Sequence, residues 1–359
     1  MEFRERIRQC RAKMRERDID LLIVSPGHEM LYLSGYRGDV RRKPSLLVIP
    51  LDDEAFFLVP EINSEDVREV SGIERVVGYS ERPYELLRSH VSEVESVGVN
   101  DSMPAVFEYP LRETLDAEFH LAGVLIDEMR EIKDEKELEN LEASAQIADR
   151  IVEDIRENKE EFTGRKESYL EKFIQDKLRE YGCEDEAFPT MVASGKNSGK
   201  PHHTPGEKVI KPGEPLMLDF GGVFNGYVGD QTRTLVLEGQ PQEKFQRVHS
   251  VVLEAQKKAI EKVRPGVSIG EIDSAAREVL EREGLEKFFP HKIGHGVGLE
   301  IHEDPVLRPE SSEKVREGMV FSIEPGVYIE GEFGVRIEDV VVVESDGARR
   351  LNTTSRDWS

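Results

Sequence analysis

The chain of 359 residues is 38% hydrophobic, enough for substantial cores and two domains, and its 73 acidic against 49 basic side chains give a formal net charge of −24. That excess repels nucleic acid and anionic membrane surfaces and argues against both as partners. Cys10 and Cys183 stand too far apart to form a redox or metal motif, no apolar run is long enough to span a bilayer, and the opening Met1-Glu-Phe-Arg-Glu-Arg-Ile-Arg8 has no apolar signal region.

Phe3, Ile7, Cys10 and Met14 recur at helical spacing and predict an opening helix. Strand-like runs follow at 20–24, 45–49, 55–59, 75–77 and 96–99 with helical patterns between them, so residues 1–122 read as an α/β domain. Within it, Tyr32 and Tyr36 could line a substrate entrance, and packing is the preferred reading of both. A linker is expected at 123–135. Asp134-Glu-Lys-Glu137 then has the form of a capping box and opens a long helix with Leu138, Leu141, Ala145, Ala148, Val152 and Ile155 on one face. From 136 to 359 helices and antiparallel strands come in blocks, which reads as an α+β domain. Helices expected at 166–181 and 268–283 are bracketed by Gly164 and Gly182 and by Gly266 and Gly284, at a constant offset of 102, and each precedes a hairpin.

The hairpins carry the chemistry. Asp219 and Asp230 flank Asn225-Gly226, a two-residue turn signal. A turn centred there places Asp230 opposite Gly221, two residues from Asp219 on the same pleat face, so the carboxylates become diagonal neighbours. Glu324 and Glu338 lie equally far from Gly331, hence directly opposite each other unless Pro325-Gly326 forms a bulge. Either pair alone is weak evidence, because carboxylates at strand ends more often form turns or face water than bind metal. His295, in Ile293-Gly-His-Gly-Val-Gly298, changes the reading, because its glycines leave the imidazole unobstructed. Four carboxylates and an imidazole gathered at one point require cations; two divalent ions balance the charge and point to hydrolysis at a two-metal site. His202, His203, His291 and His302 fall in or beside the same segments and suit proton transfer and oxyanion contacts.

The segments Ala193-Ser-Gly-Lys-Asn-Ser-Gly-Lys-Pro-His-His-Thr-Pro205, Leu218-Asp-Phe-Gly-Gly222, Gly229-Asp-Gln-Thr-Arg-Thr234, Gly294-His-Gly-Val-Gly-Leu-Glu-Ile-His-Glu-Asp-Pro305, Ile323-Glu-Pro-Gly326 and Val335-Arg-Ile-Glu-Asp339 resemble, in order and spacing, the motifs of the Xaa-Pro peptidase family. The resemblance covers roughly residues 188 to 340 and departs at Lys196, where the family often has proline, and at Gly229, where serine is common. It implies the pita-bread fold shared with methionine aminopeptidase and creatinase: an α/β creatinase-like N-terminal domain and an α+β catalytic domain with pseudo-two-fold halves. It further implies that Asp230 chelates one ion, that Asp219 and Glu338 share both, and that His295 and Glu324 complete the second position. A water bridging the ions would attack the scissile carbonyl with Glu324 as general base. His202 and His302 match residues that contact the substrate and stabilise the tetrahedral intermediate, and His291 and Arg336 match positions near the substrate's C-terminal side.

Two divalent ions per subunit are thus expected, Mn2+ first because an oxygen-rich set favours harder ions, with Co2+, Fe2+ or Zn2+ as alternatives. The expected activity is cleavage of the imide bond before proline in a dipeptide or short peptide, as in an Xaa-Pro dipeptidase (prolidase). An Xaa-Pro aminopeptidase acting on longer peptides is the first alternative. A non-catalytic binding protein, or a metal-free hydrolase like creatinase, is weighed against by the complete ligand set. The resemblance also implies a homodimer, and the composition suits the cytoplasm.

Overall fold

The apolar runs of the N-terminal third become a six-stranded sheet: β1 (Leu21–Val24), β2 (Leu46–Pro50), β3 (Phe56–Pro60), β4 (Arg75–Tyr79), β5 (Ser96–Val99) and β6 (Glu118–Leu121), in spatial order β4-β3-β2-β1-β5-β6. β1 and β3 pair antiparallel with β2, while β3–β4, β1–β5 and β5–β6 are parallel, each parallel link being made through a helix-containing connection. β1, β2 and β3 are buried almost throughout, which is why they read as continuous apolar runs instead of alternating ones. The opening helix Phe3–Glu16 buries Ile7, Cys10 and Met14 on one side, as its spacing predicts. Tyr32 is packed, its hydroxyl donating to the Met129 carbonyl at 3.2 Å and its ring lying 4.1 Å from the Arg6 guanidinium. In this computed structural model residues 3–40 and 43–359 are described, and the chain divides into two units, Met1–Arg130 and Glu131–Ser359. Within the expected linker, Gly123–Arg130 forms a helix.

The second unit begins with the long helix Glu135–Glu157. Its capping box is made: the Asp134 carboxylate accepts from the Glu137 N–H at 3.0 Å, and the Glu137 carboxylate accepts from the Asp134 N–H at 2.9 Å. The strands that follow are β7 (Asp185–Glu186), β8 (Met191–Ser194), β9 (Leu216–Phe220), β10 (Gly222–Phe224), β11 (Tyr227–Val228) and β12 (Gln231–Leu235). After two more helices come β13 (Gly294–Gly296), β14 (Glu303–Leu307), β15 (Val320–Ile323), β16 (Gly326–Ile329), β17 (Phe333–Arg336), β18 (Asp339–Glu344) and β19 (Gly347–Arg350). The sheet orders β12-β9-β8 and β14-β13-β15-β18-β19 share an antiparallel core, in which β8-β9-β12 corresponds to β13-β15-β18, and each core hairpin is extended by a smaller antiparallel ribbon, β10–β11 or β16–β17.

That correspondence extends to single hydrogen bonds. The helices Glu167–Glu180 and Ile269–Arg282 are each 14 residues long, and both follow a glycine with positive φ, Gly164 at 83° and Gly266 at 86°. Around their starts the same bonds recur: Gly164 N–H to Ile210 O and Gly266 N–H to Val315 O, both 2.9 Å, and Glu167 N–H to Lys208 O and Ile269 N–H to Glu313 O, at 2.9 and 3.0 Å. The catalytic unit is a pita-bread fold whose two halves repeat one backbone plan, and the two halves have separate cores. One, around Leu216, Leu218 and Phe220, lies under the first long helix; the other, around Phe321, Ile323 and Val341, lies under the helices Glu243–Lys262 and Ile269–Arg282. Both cysteines are buried, which pushes the Cys10 thiol up to about 12 and the Cys183 thiol up to about 11, so neither is a reactive thiolate. Among the described residues no helix is long and apolar enough to cross a membrane.

Candidate metal centre

Turn chemistry sets the first carboxylate pair. Asn225 and Gly226 both have positive φ, 49° and 81°, as a tight hairpin turn requires. The register set there, with Phe224 opposite Tyr227, runs on through Phe220 opposite Gln231 and Asp219 opposite Thr232. Asp230 continues it opposite Gly221. A Cβ at Gly221 would lie 1.7 Å from the Gly229 carbonyl oxygen, so only glycine lets the strands meet at this point.

The second pair obeys the expected register without a bulge. Ile323 is opposite Asp339 and Gly326 is opposite Arg336, which leaves Glu324 facing Glu338 across an interruption in the ladder. At that interruption Glu338 turns to the other half of the unit: its N–H donates to the Thr232 carbonyl at 3.1 Å, and its carboxylate accepts from the Thr232 hydroxyl at 2.6 Å. This bridge, with the bonds of Thr234 to Arg336 and of Arg233 to Glu338 and Asp339, holds the two hairpins, and so all four carboxylates, together. His295 arrives on β13, where a Cβ at Gly294 would lie 1.9 Å from the Ser322 carbonyl oxygen and hold the strand away from β15.

His295 Nε2 lies 3.6 Å from Asp230 and 3.5 Å from Glu324, and ligand atoms of Asp230, His295 and Glu338 all fall within 4.8 Å of one another. Asp230 and Glu338 are buried, at 3% and 2% exposure, while Asp219 and Glu324 are half-buried. Burial, then the neighbouring carboxylates Glu338, Asp219 and Glu324, raise the Asp230 carboxyl well above its ordinary value. Burial and then Glu338 do the same to Glu324, and burial and then Asp219 push Glu338 up to about 7. Burial, followed by the proximity of His302, holds the His295 imidazole down to about 4. The Nδ1 of that neutral ring is 3.1 Å from the Gly296 carbonyl oxygen, so Nδ1 carries the proton and the Nε2 lone pair faces the carboxylates. Among the described residues Arg336 is the only cation hydrogen-bonded to the four carboxylates, through Asp219. Negative charge in excess, oxygen donors and a neutral imidazole with a free lone pair make a set that fits divalent cations.

A cavity of about 960 Å3, at the upper end of small-molecule sites, is lined by these five residues and by His202, His291, His302 and Arg336. Of the site residues expected from the sequence, all but His203 therefore line one cavity; His203 instead directs its Nε2 to Glu167, 2.8 Å away. The His302 ring stands edge-on to His295, 4.3 Å away at 86°. His291 has its Nδ1 2.8 Å from the Lys292 carbonyl oxygen and its Nε2 3.0 Å from the Tyr328 hydroxyl, and burial holds it down to about 4. The Tyr328 hydroxyl accepts from Arg336 Nη1 at 2.6 Å and donates to His291, which joins these residues in one chain. Arg336 also donates through Nε to the Thr232 hydroxyl at 3.0 Å. Sequence reasoning misses Tyr328, Thr232 and Arg277, the last of which donates to the His291 carbonyl at 2.8 Å. Tyr328 has a usable signal: it shares the strand parity of Glu324, on the hairpin that carries it.

The model of metallopeptidase family M24 matches residues 139–345, and that of the creatinase/prolidase N-terminal domain matches residues 6–132. The chain is 35% identical over 359 residues to a protein of Pyrococcus furiosus named Xaa-Pro dipeptidase, covering 99% of each. It is 34% identical over 355 residues to one of the same name from Pyrococcus horikoshii, covering 98% of each. The solved Xaa-Pro dipeptidase of Bacillus anthracis superposes with a TM-score of 0.92 at 30% identity, over 99% of both chains. With a family match over more than half its length, and relatives aligned end to end, the chain belongs to metallopeptidase family M24 and is a peptidase with a creatinase/prolidase-type N-terminal domain.

Proposed function

We propose that this peptidase hydrolyses the imide bond before proline and is an Xaa-Pro dipeptidase. Asp219, Asp230, His295, Glu324 and Glu338 would hold two divalent ions, Mn2+ in preference to Co2+, Fe2+ or Zn2+. The observation that carries this reading is the convergence of four carboxylates and one neutral imidazole on a cavity that His202 and His302 also line. The relatives named Xaa-Pro dipeptidases, alike over their whole length, support the choice of bond.

When bound, such ions supply Lewis acidity toward the scissile carbonyl and lower the pKa of a water. The protein's own groups do the rest. Glu324, half-buried and facing Glu338, is assigned as the base that takes a proton from the attacking water and delivers it to the leaving proline nitrogen. His202 and His302 supply N–H donors to the oxyanion that forms as the carbonyl becomes tetrahedral. His291 and Arg336, joined through the Tyr328 hydroxyl, form the wall assigned to the substrate's C-terminal side. Family likeness extends the reading to a cytoplasmic homodimer, which sedimentation of the purified protein tests; a monomer at micromolar concentration would exclude the dimer.

The decisive assay is proline release from an Xaa-Pro dipeptide beside N-terminal cleavage of an Xaa-Pro-Yaa tripeptide, with chelator-stripped protein and with added Mn2+. Metal-dependent turnover that favours the dipeptide is expected. Glu324→Gln should lower kcat by about 10²- to 10⁴-fold. A preference for the tripeptide would make the protein an aminopeptidase, and no turnover of either with two metals bound would overturn the proposal.

A further inference from the structure

The segment that brings His202 to the cavity is held from its far side by a buried carboxylate. Glu167 is the first residue of the helix Glu167–Glu180, and its side chain has 0% exposure. Its Oε1 accepts from both the N–H and the hydroxyl of Ser194, each at 2.7 Å, and from the Asn197 amide at 3.1 Å. Its Oε2 accepts from the same amide at 3.2 Å and lies 2.8 Å from Nε2 of His203. Burial pushes this carboxyl up, but the bonds from Ser194, His203 and Asn197 outweigh it and leave it below the ordinary range, as an ionised acceptor.

The donors come from three successive points of one stretch: the end of β8, the turn Gly195–Gly199, and the loop beyond it. His202 lies on that loop and lines the cavity, whereas His203, next in the chain, turns its ring to Glu167. The backbone of His203 is held as well, its N–H reaching the Met191 sulfur at 3.3 Å. On the other side the stretch touches the second hairpin, where Ser198 Oγ accepts from the Gly334 N–H at 2.9 Å and the Pro201 carbonyl is 3.4 Å from Arg336 Nη1. Helix formation does not account for a carboxylate here, because the corresponding residue of the other half, Ile269, is fully buried in an apolar core.

We propose that Glu167 is a positioning residue which, acting through His203, fixes the direction in which His202 presents its imidazole to the cavity. The inference rests on the reading of that cavity as the reaction site. An imidazole swung by an ångström no longer meets a developing oxyanion, and misplacements of that size cost up to about 100-fold in rate.

The test compares His203→Leu, which removes the donor, with His203→Gln, which keeps an N–H able to reach Glu167. In the metal-loaded enzyme His203→Leu should lower kcat by about 10- to 100-fold while KM changes little and bound metal is unchanged. His203→Gln should recover most of the loss. Glu167→Gln should reproduce the loss, and the Glu167→Gln/His203→Leu double variant should be no worse than either single one, because both remove one contact. A wild-type kcat in His203→Leu would overturn the proposal, as would a loss that follows metal content or melting temperature and is not recovered by glutamine. Should the wild-type protein cleave no proline peptide, the functional reading fails on its own account and the positioning claim is read by NMR of histidine-labelled protein. The His202 imidazole signal, assigned by its disappearance in His202→Asn, should shift in His203→Leu and return in His203→Gln; an unmoved signal overturns the claim.

Discussion

The two halves of the catalytic unit start corresponding helices with the same backbone bonds and opposite side chains. In the second half, Ser268 and Glu271 form a capping box and the next residue, Ile269, enters the core. In the first, Lys166 makes no side-chain cap, and Glu167 turns inward to collect Ser194, Asn197 and His203. A repeated backbone plan therefore does not oblige its two copies to be stabilised alike. Where one copy is packed and capped for stability, the other gives a core position to a carboxylate that holds a loop of the site.

Exchanging the logic of the halves should produce the largest effect. Ile269→Glu buries a carboxylate without donors to meet it, and unfolding in urea should show a loss of at least about 4 kcal/mol. A loss below about 1 kcal/mol would mean that the second half also holds donors in wait, and the contrast would fall.

The next test is pH. The second half carries His249, 2% exposed, whose Nε2 has no hydrogen-bond partner among the described residues. Burial above all holds its imidazole down from 6.5 to about 4. The unfolded chain therefore takes up this proton near pH 6.5 while the folded chain refuses it until about pH 4, so the stabilisation is complete above the first value and lost as pH falls toward the second. The loss approaches about 3 kcal/mol. Denaturant midpoints at pH 7.5 and pH 5 should differ less in His249→Phe than in the wild type, and an unchanged difference would remove His249 from the account.

The smallest effect lies in the caps. Ser268→Ala should cost about 1 kcal/mol. Lys166→Ala should stay within about 0.5 kcal/mol, because that side chain pairs with Glu207 at the exposed surface. Equal losses, measured by thermal unfolding, would erase the difference between the two helix starts.

Much of the site is legible in the amino-acid sequence because local chemistry decides it. Asn225-Gly226 enforces a two-residue turn, and Gly331, with φ of 77°, marks the other. A turn fixes the register of its strands, and a register decides which side chains are neighbours, so both carboxylate pairs can be placed. The glycines around His295 and the capping box at Asp134 are local signals of the same kind. Tyr328 lies within reach of that reasoning by strand parity, whereas Arg277, on a helix of the second half, does not.

What the sequence determined by itself is many of the elements, the registers of the two hairpins and the chemical character of the candidate metal-binding residues, because turn geometry, pleat alternation and capping all act within a few residues; the helix Gly123–Arg130, inside the expected linker, was not among them. Only the tertiary structure decided that the two hairpins meet, through Thr232 and Glu338, 106 residues apart. It alone joined Arg336 to Asp219 across 117 residues and His203 to Glu167 across 36. Such contacts leave no period in the chain. They arise when separate apolar faces pack and the polar groups carried between them must find partners out of water, and that requirement turned an unremarked glutamate at a helix start into the anchor of a loop in the site.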